Sequence, residues 1–270
     1  MNTNSFSLAQ YQCELKCVLS RIVEVLDRNK IPYFALFGTC LGAVRHGDII
    51  PWDDDVDIGV RREYYDKVKE CIIRECPDLY FWDWFVDPGC CLSFGRIFNR
   101  INPLDTIEKR RAYIDLYIID NIPNSKILRF LYKLSKTVVA RHLIRRCRAK
   151  IEYKTFTVVS SIIYCLGIPL WFLSVKSLRR IHTWISSRLC NKATRNAAIG
   201  NFVLANSFLE NRRTAILGGV KIRIPNEAEK YLESVYGDWR SLPPEGQRGE
   251  HAFKANGDII AAMPADSLRR

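Results

Sequence analysis

No Cys-x-x-Cys pair occurs among the ten cysteines, and no histidine stands at zinc-ligand spacing to them, which excludes a structural zinc module. Cys13 and Cys17, four apart, and the adjacent Cys90 and Cys91 therefore read as reduced thiols, in keeping with a cytosolic location. Residues 1–10 lack a basic segment followed by an apolar one, so no secretory signal is expected there. Acidic residues are almost missing between Lys126 and Lys192, where Glu152 stands alone against 15 Lys and Arg. That segment carries +14 of a chain total of +12, so the remainder is slightly acidic, at −2. No RNA- or DNA-binding motif accompanies the basicity, and long aliphatics outnumber aromatics within it, which argues against nucleic acid as the partner.

What is present is enough apolar residue to build a core. The 270 residues are 48% apolar and 26% charged, which excludes general disorder and allows one domain with an insertion or two small domains. The chain is organised around Phe37-Gly38-Thr39-Cys40-Leu41-Gly42-Ala43-Val44-Arg45-His46, followed by Ile50-Pro51-Trp52-Asp53-Asp54-Asp55-Val56-Asp57-Ile58-Gly59-Val60. The apolar run from Tyr33 to Phe37 predicts a buried strand, Gly38 a turn, and Thr39 to His46 a short helix capped by its first residue, whose backbone N–H groups suit a phosphate. Asp55-Val56-Asp57-Ile58 alternates acid with apolar, the period of a half-buried strand, so both carboxylates share one face about 7 Å apart along the backbone. Acids so placed repel one another and are costly to bury unpaired, so they call for a hard divalent cation, for Arg45, or for water. An exposed acidic turn is the alternative.

The stretch from Gly38 to Val60 resembles the LicD family of phosphocholine transferases and the related fukutin-type ribitol-phosphate transferases. Their signature runs Gly-Thr-x-Leu-Gly-Ala-Val-Arg, then Ile-Pro-Trp-Asp-Asp-Asp-x-Asp. The resemblance implies an α/β (α+β) nucleotidyltransferase-like fold, a mixed sheet flanked by helices, in which Gly-Thr opens a helix and an Asp-x-Asp strand carries metal. Asp48 departs from the pattern, where many relatives have Gly, and touches the connecting turn alone.

Elsewhere, apolar residues at three- and four-residue spacing predict helices over residues 8–29 and 63–76, the second stopped by Pro77. The aromatic run Tyr80-Phe81-Trp82-Asp83-Trp84-Phe85 reads as packed core, with a base-stacking wall as the alternative. Residues 91–99 and 113–120 predict two strands. Asp115, flanked by Ile114 and Leu116, needs a partner or a site, and the resemblance implies that it is the third carboxylate; Arg96, on the preceding strand, meets either a phosphate or one of the acids. Asp120 is expected in a turn. Residues 127–150 read as a helix rich in Lys and Arg, and Phe156 to Val175 is twenty residues without a charge. Gly167 and Pro169 interrupt it and its flanks are basic on both sides, which favours a surface-bound or re-entrant hairpin on anionic headgroups over a membrane span or buried core. Val220 to Ile224 predicts a strand and Glu227 to Trp239 a helix, followed by Arg248 and His251, a block that the resemblance places beside the catalytic sheet.

The expected organisation is a nucleotidyltransferase-like catalytic core over 1–125, a basic helical insertion over 126–200, a C-terminal part of the catalytic domain over 201–251, and a tail over 252–270. The resemblance implies a transferase that takes a phospho-alcohol from a CDP-linked donor such as CDP-choline to a sugar hydroxyl on a glycan or its lipid-linked precursor, releasing CMP. Asp55, Asp57 and Asp115 would hold Mg²⁺ or Mn²⁺, Asp115 also taking the acceptor's proton. Gly38 and Thr39 would seat phosphate, with Arg45 and Arg96 offsetting charge. Such an enzyme would work on the inner face of the membrane. Two alternatives stand beside it: nucleotidyl transfer from an NTP with loss of pyrophosphate, and a non-catalytic membrane adaptor.

Overall fold

Ser7 opens the first helix by a reciprocal cap, its Oγ accepting from the Gln10 backbone N–H while the Gln10 side chain accepts from the Ser7 N–H. The computed structural model describes residues 7–87, 90, 92–100, 112–146, 172–190, 194–200 and 202–248. Helix α1 (Leu8–Arg28) buries Tyr11, Leu15, Val18, Leu19, Ile22, Val25 and Leu26, the stripe its periodicity predicts. It ends at Asn29, beyond which Lys30 turns into the left-handed region at φ 55°.

A mixed sheet forms the centre. Strand β1 (Tyr33–Ala35) is antiparallel to β2 (Val56–Arg61), and β2 is parallel to β5 (Tyr113–Ile122). On the other edge of β5, β4 (Gly95–Asn99) pairs with its first half, and β3 (Leu79–Trp82) pairs with β4. The second half of that edge is taken by β6 (Asn196–Ile199), followed by β7 (Phe202–Ala205). Between α2 (Phe37–Arg45) and the sheet lie Cys40 and Leu41, while α3 (Arg62–Glu75) covers the sheet with Tyr65, Val68, Cys71 and Ile72. The architecture is the α/β sheet flanked by helices that the sequence predicts.

The pairing of β5 with β4 stops at Leu116 and pairing with β6 starts at Ile119. Tyr117 and Ile118 are held by β2 on one side and face a notch between β4 and β6 on the other.

A separate hairpin of β8 (Arg212–Leu217) and β9 (Val220–Pro225) turns at Gly218 and Gly219, both at positive φ, which that tight turn needs. Its turn lies against Asp48: a Cβ on Gly218 would come within 2.2 Å of the Asp48 carboxylate. Asp48 in turn meets Lys16 at 3.0 Å and accepts from the Ile49 N–H at 2.7 Å, so the departure from the family pattern ties the connecting turn to α1. Helix α6 (Ala228–Tyr236) buries Tyr231 and Leu232 in the same core as the sheet, where the sequence expects the C-terminal block.

The basic region supplies α4 (Lys126–Arg146) and α5 (Val175–Cys190), packed on one another. Strand β6 also falls within 126–200, so this stretch contributes to the sheet as well as to helices. Residues 156–171 of the uncharged run lie outside the described residues, as do Cys91, His251 and the tail. Among the described residues no helix is long and apolar enough to cross a membrane. Within the aromatic run Phe81, Trp82 and Trp84 are buried core, whereas Phe85 is 49% exposed.

Candidate active site

The acidic loop is held in place before any ligand arrives. Gln12 of α1 donates through Nε2 to the carbonyls of Ile50 at 3.0 Å and Asp53 at 2.8 Å, fixing the loop that delivers Asp53, Asp54 and Asp55. Gly42 lets that loop lie on α2, since a Cβ there would approach the Asp48 carbonyl to 2.6 Å. Gly38 does the same for Asp53, whose carboxylate would stand 2.8 Å from a Cβ. A carboxylate beside the first turn of a helix is favourable for the helix dipole.

The expected helix cap is corrected by the geometry. Helix α2 starts at Phe37, two residues earlier than predicted, and its N-cap Leu36 makes no side-chain cap. Thr39 lies inside the first turn, and its Oγ1 accepts from the Asp57 N–H at 2.7 Å, so the hydroxyl ties helix to strand. The Leu36 N–H donates to the Asp57 carbonyl at 3.0 Å. Phe37 takes φ 42°, a region that costs a bulky residue on the order of 1–3 kcal/mol and is typical of functional sites. Its ring packs on Phe202 and edge-on to Tyr117, and its N–H donates to the Tyr231 hydroxyl at 3.0 Å. Tyr231 and Gln12 are second-sphere anchors that the sequence does not single out, because their partners lie 194 and about 40 residues away.

Asp57 and Asp115 are direct partners across the parallel β2–β5 pair, on strands separated by about 4.8 Å. Asp55 precedes Asp57 by two residues and shares its face. Asp57 is buried, and its Oδ1 finds no hydrogen-bond partner among the described residues. Burial, then the carboxylates of Asp53, Asp115 and Asp54, push Asp55 up to about 8. Burial, then Asp55, Asp115 and Asp53, hold Asp57 well above the ordinary carboxylate range. The field at these two groups is thus set by other acids.

Asp115 is answered differently. Arg96, opposite it on β4, forks onto both oxygens at 2.8 and 3.0 Å, and the pair is buried. The guanidinium also stacks 3.7 Å over the Tyr113 ring, and its Nη1 is buried with no protein partner. Of the two partners weighed for Arg96, the structure shows the acid. Arg45 donates to the carbonyls of Trp239 at 2.8 Å and Ser241 at 3.4 Å, and so clamps the segment after α6.

Three of the sequence-predicted residues therefore meet on one face: Asp55, Asp57 and Asp115. Gly38 and Thr39 lie beside them, and Arg45 lies at the rim. Oxygen donors of this kind suit Mg²⁺ or Mn²⁺, and the orphaned Asp57 oxygen is a ready ligand. Among the described residues no three His, Cys, Asp or Glu side chains stand in metal-holding geometry. Both Asp115 oxygens instead accept from Arg96. What the chain offers a cation is the Asp55–Asp57 pair, and Mg²⁺ commonly takes one or two carboxylates and completes its shell with substrate phosphates and water.

Asp120 is the residue misread. It is expected in a turn, yet it lies inside β5 and is buried. Arg62 meets it through Nε and through Nη2 at 2.9 Å, Lys136 meets it at 3.0 Å, and the Tyr132 hydroxyl at 3.4 Å. Although burial opposes ionisation, Lys136 and Arg62 hold its carboxyl well below the ordinary range.

Crowded carboxylates thus stand beside a helix start, on adjacent strands of a mixed sheet. A family described as LicD/FKTN/FKRP, nucleotidyltransferase domain, matches residues 30–118, the span from β1 through Ile118 of β5. Residues 30–118 therefore carry a domain of this kind, and the chain is an enzyme of the phosphotransferase class. Lipopolysaccharide cholinephosphotransferase LicD of Haemophilus influenzae is 24% identical, over 91% of this chain and 96% of that one. An uncharacterised protein of Rickettsia prowazekii is 58% identical over 38% of this chain and 32% of its own length. Human ribitol 5-phosphate transferase FKRP is 48% identical over 50 residues, 18% of this chain and 10% of that one.

Proposed function

We propose that the chain transfers a phospho-alcohol, of the phosphocholine kind, from a CDP-linked donor to a sugar hydroxyl of a surface glycan or its lipid-linked precursor, with release of CMP. The observation that supports this most is the pair of buried or half-buried carboxylates, Asp55 and Asp57, whose proton affinity is raised by neighbouring acids and whose Asp57 oxygen has no partner among the described residues. Asp55 and Asp57 would hold a divalent cation, Mg²⁺ or Mn²⁺, which when bound supplies charge neutralisation at a phosphoanhydride. The N–H groups of Gly38 and Thr39, in the first turn of α2, would meet donor phosphate oxygens. Asp115 would take the proton of the acceptor hydroxyl, with Arg96 fixing the direction of its carboxylate. Arg45 would serve by holding the segment after α6 over the site.

The relatives named for phosphocholine and ribitol-phosphate transfer are the basis for placing a nucleotide-linked donor and a glycan acceptor here. The test is to incubate the purified chain with Mg²⁺, a glycan acceptor and a panel of CDP-alcohols and nucleoside triphosphates, and to identify the leaving nucleotide. CMP is expected. Pyrophosphate from an NTP would establish nucleotidyl transfer instead.

The same reading includes work at an anionic membrane surface on the cytoplasmic side. Ile127, Leu128, Phe130 and Leu131 of α4 are all more than half exposed and alternate with Lys126, Arg129 and Lys133, and Phe172, ahead of α5, is 91% exposed. Apolar side chains amid Lys and Arg suit headgroup insertion. Flotation with liposomes containing anionic lipid should carry the chain, and Phe130→Ser with Ile127→Ser should abolish it; indifference to lipid charge would remove the membrane from the reading.

A further inference from the structure

The notch in the sheet opens into a cavity of about 240 Å³. Because no described strand pairs with Tyr117 and Ile118 on that edge, the cavity touches both faces of β5: Tyr117 comes from the Asp115 face, and Asp120 from the opposite one. Tyr117 stacks on Phe94 at 4.7 Å and lies close enough to the catalytic acids that, after burial, Asp57, Asp115 and Asp55 each push its hydroxyl upward. The cavity is thus the next room to the carboxylate site, with one aromatic pair between them.

Its chemistry is the reverse of that site. Arg62, Lys133 and Lys136 line it against a single acid, Asp120, which already serves Arg62 and Lys136. Lys136 is held below its ordinary range by burial, with Arg62 adding to the effect against the pull of Asp120. His182 also lines the cavity; it is 4% exposed, packs edge-on to Trp84 at 4.9 Å, and its Nδ1 is buried with no hydrogen-bond partner. Burial, then Lys136 and Arg62, push His182 down to about 3, so the ring is neutral at any working pH and offers a hydrogen bond without adding charge. A buried ring nitrogen without a partner among the described residues, on a side chain that lines this cavity, is an unmet polar group that a ligand could answer.

We infer that this cavity is a binding site for a phosphate group carried by one of the two substrates, held by Lys133 and Lys136 and by a hydrogen bond to His182 across the stacked Phe94–Tyr117 pair from the catalytic acids. The identity of the carrier rests on the phosphotransferase reading; the binding does not. If the acceptor carries the phosphate, a sugar phosphate or lipid-linked sugar phosphate fills the cavity while its hydroxyl reaches past Tyr117 toward Asp115. If the donor carries it, the phosphate belongs to the cytidine nucleotide.

The experiment is calorimetric titration of the full chain with inorganic phosphate, without metal or donor, so that it reports whether or not the chain turns over CDP-alcohols. Saturable binding of one phosphate per chain is expected, weakened about tenfold by Lys133→Gln or Lys136→Gln and retained in Asp57→Asn. Lys133 is exposed, so K133Q keeps its fold even if K136Q loosens the Asp120 cluster. In ¹⁵N-histidine spectra one ring should shift on phosphate addition, and that shift should be missing in His182→Phe. Competition separates the carriers: displacement by N-acetylglucosamine 1-phosphate but not by CMP assigns the phosphate to the acceptor, and the reverse assigns it to the donor. Absence of saturable binding, or binding indifferent to K133Q, K136Q and H182F, would overturn the site.

Discussion

Asp115 and Asp120 stand five residues apart on β5, and their surroundings are opposite in sign. Around Asp115 the strands and the acidic loop gather Asp53, Asp54, Asp55 and Asp57, and the nearest influences on Asp55 and Asp57 after burial are other carboxylates. Around Asp120 it is cations that gather, and two of them share one acid. A buried carboxylate that the protein itself neutralises is a structural group; carboxylates crowded together without such neutralisation store unfavourable charge that an external cation relieves. By that measure Asp120 holds α3, α4 and β5 together, whereas Asp55 and Asp57 are, in the proposed reading, the pair that a ligand would neutralise. Asp115 falls between the two, matched by Arg96 yet in register with Asp57.

The comparison breaks most visibly at Asp57. Asp57→Asn should reduce CMP release about a thousandfold, while the melting temperature holds, because Asn replaces a carboxyl that the fold already keeps mainly in its neutral form. Near-normal turnover in this variant would show that the crowded acids are incidental. Next in size, Arg96→Met leaves Asp115 buried among carboxylates and should destabilise the chain by about 3–5 kcal/mol, read by urea denaturation. Asp120→Asn tests the other cluster; it should cost about 3 kcal/mol by the same measurement. Less than 1 kcal/mol there would show that Arg62 and Lys136 find other partners.

The smallest effect sharpens the contrast through pH. Asp55 has a folded value of about 8, above its unfolded 3.8, so its charged form is disfavoured in the fold. Its contribution is fully present below about pH 4 and is lost as pH rises toward 8. Asp120 and His182 are held low, and their contributions run the other way: that of Asp120 is lost as pH falls below the ordinary carboxylate range, and that of His182 as pH falls from 6.5 toward 3. The melting temperature of the metal-free chain should therefore fall at both ends. Asp55→Asn should flatten the alkaline side, and His182→Phe the acid side. Mg²⁺ should raise the melting temperature more at pH 8 than at pH 5, since it competes with the proton at Asp55.

The difference between the two clusters also marks how far the sequence was readable. The Asp55–Asp57 spacing and the Gly38–Thr39 turn lie within one continuous stretch, so the strand, the helix and the shared face followed from local periodicity. Asp115 was legible as an acid amid Ile and Leu. Asp120 was not: it ends an apolar run three residues before Pro123, the pattern of a turn, and the cations that bury it come from 58 and 16 residues away. Arg45 stands in the motif, where the resemblance implies that it offsets the donor's charge, and its carbonyl partners 194 and 196 residues on could not be read locally. Strands β6 and β7 are four residues each, and β8 opens with two exposed arginines, so none of the three shows an apolar alternation long enough to read. The notch depends on where those strands stop, and register of that kind is settled by the whole sheet.

The central claim is that Asp55 and Asp57 await a divalent cation, and Mn²⁺ titration followed by electron paramagnetic resonance, with a CDP-alcohol present, tests it most directly. Saturable Mn²⁺ binding that releases protons at pH 7 and disappears in the Asp55→Asn, Asp57→Asn double variant is the expected result. Mn²⁺ bound equally well by that variant, or not at all by the unaltered chain, would contradict it.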